Sequence, residues 1–103
     1  MMNNADGFAE LLRREGYSSQ SELMQDWALL LALSRLEQYR AECEYLERKY
    51  GMQPDEFEKL IHGEKGREDF EQEEDLEDWE FCLNALKWWK AKIKELQGAA
   101  YAA

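Results

Sequence analysis

Two pairs of carboxylates have the spacing that magnesium chemistry uses. Glu44 and Glu47 stand three residues apart, as do Glu74 and Glu77, so on a helix each pair shares one face. Carboxylate oxygens are the ligands that magnesium takes, and two such pairs on facing helices could hold the ion. Other metal chemistries lack their residues. His62 is the single histidine, with Glu58 one turn before it. A di-iron bundle needs a Glu-x-x-His pair on each of two helices, and zinc needs more Cys and His at closer spacing. His62 is read instead as a residue meeting the last carbonyls of a helix. Cys43 and Cys82 form no CxxC and are read as small apolar core residues, not nucleophiles. No cofactor is expected.

A second constellation is the stretch DFEQEEDLEDWEFCLNALKWWKAKIKEL, residues 69 to 96, acidic at its start and lysine-rich at its end. Acids near a helix N-terminus and lysines near its C-terminus complement the macrodipole, each worth about 0.3–1 kcal/mol. One or two charges per end suffice for that. A denser block repels itself at i,i+3 and i,i+4, and the surplus suits a basic partner through steering and complementary pairing. The expected contact surface is Glu71, Glu74, Asp75 and Asp78 with Trp79, Phe81 and Trp88.

Composition narrows the partner class. The net charge is −10, with 23 acidic against 13 basic residues, which disfavours nucleic acid and anionic membranes. Apolar residues make up 45% of the 103, with four Trp, five Tyr and four Phe, too many for a disordered chain. Mean hydropathy is nonetheless −0.79, so the apolar groups must lie in stripes. The start, MMNNADGFAE, has no secretory apolar region, and the longest apolar run, WALLLAL at 27 to 33, is far short of the ~20 residues of a span. A reduced, cytoplasmic protein with no membrane segment is expected.

These residues need scaffolding. One helical domain over 1–103 is expected, with helices at about 6–15, 20–50, 54–62 and 71–97 and a frayed tail at 98–103. Asp6 caps the first and Gly16 ends it as a left-handed residue. Ser19 and Glu22 have the spacing of a capping box. No Pro or Gly interrupts residues 20–50, Gly51 can terminate that helix, and Pro54 suits the next first turn. HGEKGRED is a loop. Leu29, Ala32, Leu36, Tyr39, Cys43, Leu46 and Tyr50 recur at alternating threes and fours, as do Trp79, Cys82, Leu86, Trp89, Ile93 and Leu96. Such seams predict an all-α antiparallel hairpin of two long helices with two short accessory helices. In the expected register Leu46 faces Trp79, Cys43 faces Cys82 and Ala32 faces Ile93. The first and third helices should each cover one side of residues 27–33. Trp27, Leu30, Leu31, Tyr45, Phe81, Leu83 and Trp88 are left over, which predicts assembly into a helical bundle, as a homo-oligomer or a hetero-complex.

DGFAELLRREGYSSQSELMQDW resembles the two-helix portion of ribbon-helix-helix antitoxins, over about a fifth of the chain. The strand with which that family reads DNA is missing, because MMNNAD is no strand. RLEQYRAECEYLERKYGMQPDEFEKL and the stretch from Asp69 to Leu96 look like small acidic helical proteins of prokaryotic toxin–antitoxin pairs. That resemblance implies a non-enzymatic interaction module that masks a basic, RNase-type partner. Glu44/Glu47 and Glu74/Glu77 instead resemble the Glu-x-x-Glu and Glu-x-x-Asp pairs of all-α nucleotide pyrophosphohydrolases, implying magnesium-dependent hydrolysis. The phosphate-binding basic residues of such enzymes are not evident here. A structural homo-oligomer is the third alternative.

Overall fold

A computed structural model describes residues 4–63 and 69–101, with side chains over 6–63 and 69–98. Among the described residues there are four helices and no strand: α1 (Asn4–Glu15), α2 (Gln20–Tyr50), α3 (Pro54–Gly63) and α4 (Phe70–Tyr101). The HGEKGRED loop falls mostly outside them. Asp6 sits inside the first turn of α1 rather than before it, because Asn4 and Ala5 are already helical.

Gly16 closes α1 at φ 80°, and the Tyr17 N–H donates to the Leu12 carbonyl at 2.8 Å. Ser19 caps α2 from an extended backbone, accepting the Glu22 N–H at 3.1 Å. The return half of the capping box is shifted by one residue: the Glu22 carboxylate accepts from the Ser18 N–H, at 2.9 Å, and from the Ser18 hydroxyl. Those two bonds hold the Glu22 carboxyl below its usual range. α2 then runs unbroken for 31 residues until Gly51, at φ 63°, returns its N–H to the Glu47 carbonyl at 2.8 Å. Asp69 opens α4, its carboxylate accepting the Gln72 N–H at 3.3 Å.

α4 does not stop before Gly98. Gly98 stays helical and the helix continues to Tyr101. Glycine in a helix costs only about 1 kcal/mol relative to alanine, and Ala99 and Ala100 are strong helix formers. The lysines at 87–94 therefore lie within the helix and its last turn holds no basic residue. A dipole effect fades within one turn, so only the acidic start of α4 complements the macrodipole.

α2 and α4 pack antiparallel along their length, and the two stripes form the seam. Ala32, Leu46, Trp79, Cys82 and Ile93 are buried, and the other stripe residues are half-buried. Leu46 and Trp79 share one cluster, and the Cys43 and Cys82 thiols lie near enough to influence each other's ionisation. The Tyr39 ring meets Phe81 edge-on at 5.9 Å.

The densest packing lies where α3 folds back over one end of the hairpin. Leu46, Phe57, Leu76 and Trp79 form the cluster, with Tyr50, Met52 and Ile61 against it. The Tyr50 and Phe57 rings are 4.0 Å apart and Phe57 and Trp79 5.7 Å apart. A side chain buried this fully contributes about 1.5–3 kcal/mol.

This position corrects the expected role of α3. Three residues separate it from α2, so it packs near Tyr50, about 30 Å along the helix from residues 27–33. α4 covers the Ala32 side of that segment, α1 reaches only its start, where Phe8 and Leu11 line a groove with Trp27, Ala28 and Leu31, and Trp27, Leu30, Leu31 and Leu33 remain exposed. The molecule is a rod of 66 × 36 × 17 Å with a radius of gyration of 20.8 Å. A compact chain of this length would have about 13 Å.

Candidate functional site: an acidic groove with aromatic walls

The start of α4 lies against the last turns of α2, and charge is partly spent there. The Lys49 ammonium sits 2.9 Å from Glu71 and 2.7 Å from Asp75, and the Tyr50 hydroxyl donates to the same Asp75 oxygen. Burial pushes the Asp75 carboxyl up. The hydrogen bonds from Lys49 and Tyr50 outweigh it, and its pKa ends below the ordinary value. Burial, then the Asp75 bond, pushes the Tyr50 phenol up to about 12. Lys49 is raised, first by Asp75 and then by Glu71.

Beside this cluster the two long helices leave a groove of about 330 Å³ lined by Glu42, Tyr45, Leu46, Asp75, Asp78, Phe81 and Cys82. Tyr45 and Phe81 are each more than half exposed. The Cys82 thiol donates to the Glu42 carboxylate at 3.1 Å. Burial, followed by that bond, pushes Cys82 up to about 12, and burial likewise raises Cys43. Both thiols are free and protonated at neutral pH, which suits core residues and not nucleophiles.

The expected contact residues divide. Trp79 is withdrawn from the surface: it is 1% exposed, because it begins the stripe that faces α2. Asp75 is largely enclosed by Lys49 and Tyr50. Glu71, Glu74, Asp78, Phe81 and Trp88 are exposed. Glu74, Phe81 and Trp88 follow one another at seven-residue steps on one continuous helix, so they share a face. Trp88 packs edge-on against Trp89 at 4.7 Å, with the Lys92 ammonium 5.1 Å above its ring. Glu42 and Tyr45, which line the opposite wall, were not among the expected residues. Tyr45 stood only among the apolar residues left over from the seams, and Glu42 only as the neighbour of Cys43.

The magnesium-type carboxylates are not brought together. Glu44, Glu47, Glu74 and Glu77 are all exposed, and Glu47 accepts the Gln53 amide at 2.6 Å. Glu77 lies two residues before Trp79, about 200° around the helix, on the side away from α2. Among the described residues no three His, Cys, Asp or Glu side chains are placed to hold a metal ion. His62 lies in the last turn of α3, its imidazole 3.9 Å from Glu58. Among the described residues no helix is long and apolar enough to cross a membrane.

The fold and groove thus define an acidic, all-α helical hairpin with exposed aromatic side chains. No family model matches the chain, and no curated protein or solved structure matches it significantly.

Proposed function

We propose that this protein is a non-enzymatic interaction module that binds a basic protein partner, in the manner of an antitoxin masking its toxin, in a reducing cytoplasm. The supporting observation is the groove between α2 and α4, where Tyr45 and Phe81 stand exposed beside Glu42 and Asp78. An arginine or lysine entering it would meet carboxylates and ring faces together, and both attract a cation. Aromatic anchors within a charged rim are a common interface layout. The stripe Glu74, Phe81 and Trp88 would extend the contact along α4. Lys49 already holds Glu71 and Asp75, so Glu42, Glu74 and Asp78 carry the reading. The net charge of −10 would speed encounter with such a partner.

The test is quantitative mass spectrometry of proteins that co-purify with the wild-type chain and with an Asp78→Lys, Phe81→Ser variant. A stoichiometric basic protein is expected with the wild type, lost from the variant and in about 0.5 M salt, where charge attraction is screened within a few ångströms. A purified partner with ribonuclease activity that the wild-type chain blocks would establish the antitoxin role. Absence of any such protein, or equal retention by the variant, would remove the reading. A structural homo-oligomer is the second reading, favoured by the apolar side chains left exposed on α1 and α2.

A further inference from the structure

We infer that Cys43 and Cys82 are an oxidisable pair that closes, within the folded hairpin, into a reversible disulfide stapling α2 to α4.

Contacts on the two long helices fix which residues meet across the seam. The Tyr50 hydroxyl donates to Asp75, and Leu46 packs with Trp79 in the aromatic cluster. In an antiparallel pair each turn back along α2 meets a turn forward along α4. Cys43 stands one turn before Leu46, and Cys82 one turn after Trp79, so the two cysteines share the next layer. Cys82 reaches α2 at that level: its thiol donates at 3.1 Å to Glu42, the neighbour of Cys43. The two thiols also influence each other's ionisation. Packed helices have axes about 8–10 Å apart, with Cα atoms about 2.3 Å from each axis. Facing Cα atoms then lie near the ~4.4–6.8 Å that a disulfide spans.

Both thiols are free, Cys43 half-buried and Cys82 buried. A small disulfide such as oxidised glutathione therefore meets Cys43 first. The Cys43 thiolate attacks one sulfur of the reagent, the reagent's S–S bond breaks, and its other half leaves as a thiolate that takes up a proton. The Cys82 thiolate then attacks the Cys43 sulfur from within and expels the second reagent thiolate, which takes up the proton Cys82 gave up. Two protein thiols lose two electrons, and one reagent disulfide becomes two thiols. Burial keeps both cysteines protonated at rest, which slows the first attack. The second is intramolecular across one helix contact and follows quickly. Glu42 loses the S–H it accepts. The bond closes a loop of roughly 40 residues, and a reducing cytoplasm reopens it. The pairing lies in the seam and needs no partner, so it is independent of the proposed partner binding.

The test is equilibration of the chain at about 5 and 50 µM in mixtures of reduced and oxidised glutathione at pH 8, folded and in about 8 M urea, followed by acid quenching and intact-mass measurement. The folded chain is expected to give a product ~2 Da lighter than the reduced chain, in equal yield at both concentrations, with Cys43 and Cys82 joined in the peptide map. The equilibrium constant for closure should be at least about 30-fold larger folded than in urea, because the fold already holds the two ends together. The oxidised chain should keep its far-UV circular dichroism and melt at least about 10 °C higher, and reductant should reverse the shift. A folded chain that stops at the glutathione adduct, stays reduced in every mixture or cross-links between molecules overturns the inference. So does a closure constant no larger folded than in urea, or an oxidised chain that melts lower than the reduced one.

Discussion

The Asp75 carboxylate of α4 lies 2.7 Å from the Lys49 ammonium of α2 and accepts the hydroxyl of its neighbour Tyr50. One acid thereby ties the last turn of one long helix to the second turn of the other, directly over the aromatic cluster.

Asp75→Ala should cost about 1–3 kcal/mol, because the half-buried Tyr50 hydroxyl loses its acceptor. The pH dependence has a definite sign. The Asp75 pKa is lowered from the ordinary 3.8 in the folded state, so its stabilisation is full above that value and fades as pH falls through the depressed one. Tyr50 is raised from 10.0 to about 12, so its contribution is complete below pH 10 and disappears as pH climbs through 12. Urea denaturation across this range should show both limbs, and Asp75→Asn should flatten the acidic one.

Phe57→Ala should cost about 3–5 kcal/mol, since Phe57 is fully buried against Tyr50 and Trp79. Leu60→Ala, on the same short helix but exposed, should fall within about 0.5 kcal/mol. Thermal melts of the two variants would separate them by many degrees. Equal effects would mean that α3 does not pack as described.

Gly51 and Gly98 should respond oppositely to alanine. Gly51 has φ 63°, where a side chain costs about 1–2 kcal/mol, so Gly51→Ala should lower the melting temperature. Gly98 is helical with open space around it, and Gly98→Ala should stabilise by up to about 1 kcal/mol. A destabilising Gly98→Ala would show that α4 ends there after all.

The two thiols should be slow nucleophiles. With Cys82 pushed up to about 12 and Cys43 also raised, iodoacetamide at pH 8 should alkylate the native protein about 100-fold more slowly than the urea-unfolded chain. Glu42→Ala removes the acceptor that helps to hold the Cys82 proton, and should speed its alkylation in the folded state.

How much of this was legible beforehand follows from the range of each interaction. Alternating threes and fours mark a buried helix face whatever lies opposite, so both seams and the facing thiols could be read from spacing. Ser19, Gly51 and Pro54 act within one turn, and they set the ends of α2 and the start of α3 by themselves. Gly98 misled because glycine ends a helix only when its backbone turns left-handed, which Ala99 and Ala100 do not require.

The candidate site was less legible. The acidic run from Glu71 was visible, but its division was not: Lys49 takes Glu71 and Asp75, Trp79 turns inward, and Glu42 and Tyr45 complete the groove from another helix. Periodicity says which residues face a neighbour, because it depends only on the 3.6-residue turn. It cannot say which off-stripe groups that neighbour covers. Chain order determined two long helices and their seam. Tertiary packing decided where α3 rests, which carboxylates keep their charge for solvent, and why the segment around Trp27 is left bare, since those outcomes depend on contacts between residues far apart in the chain.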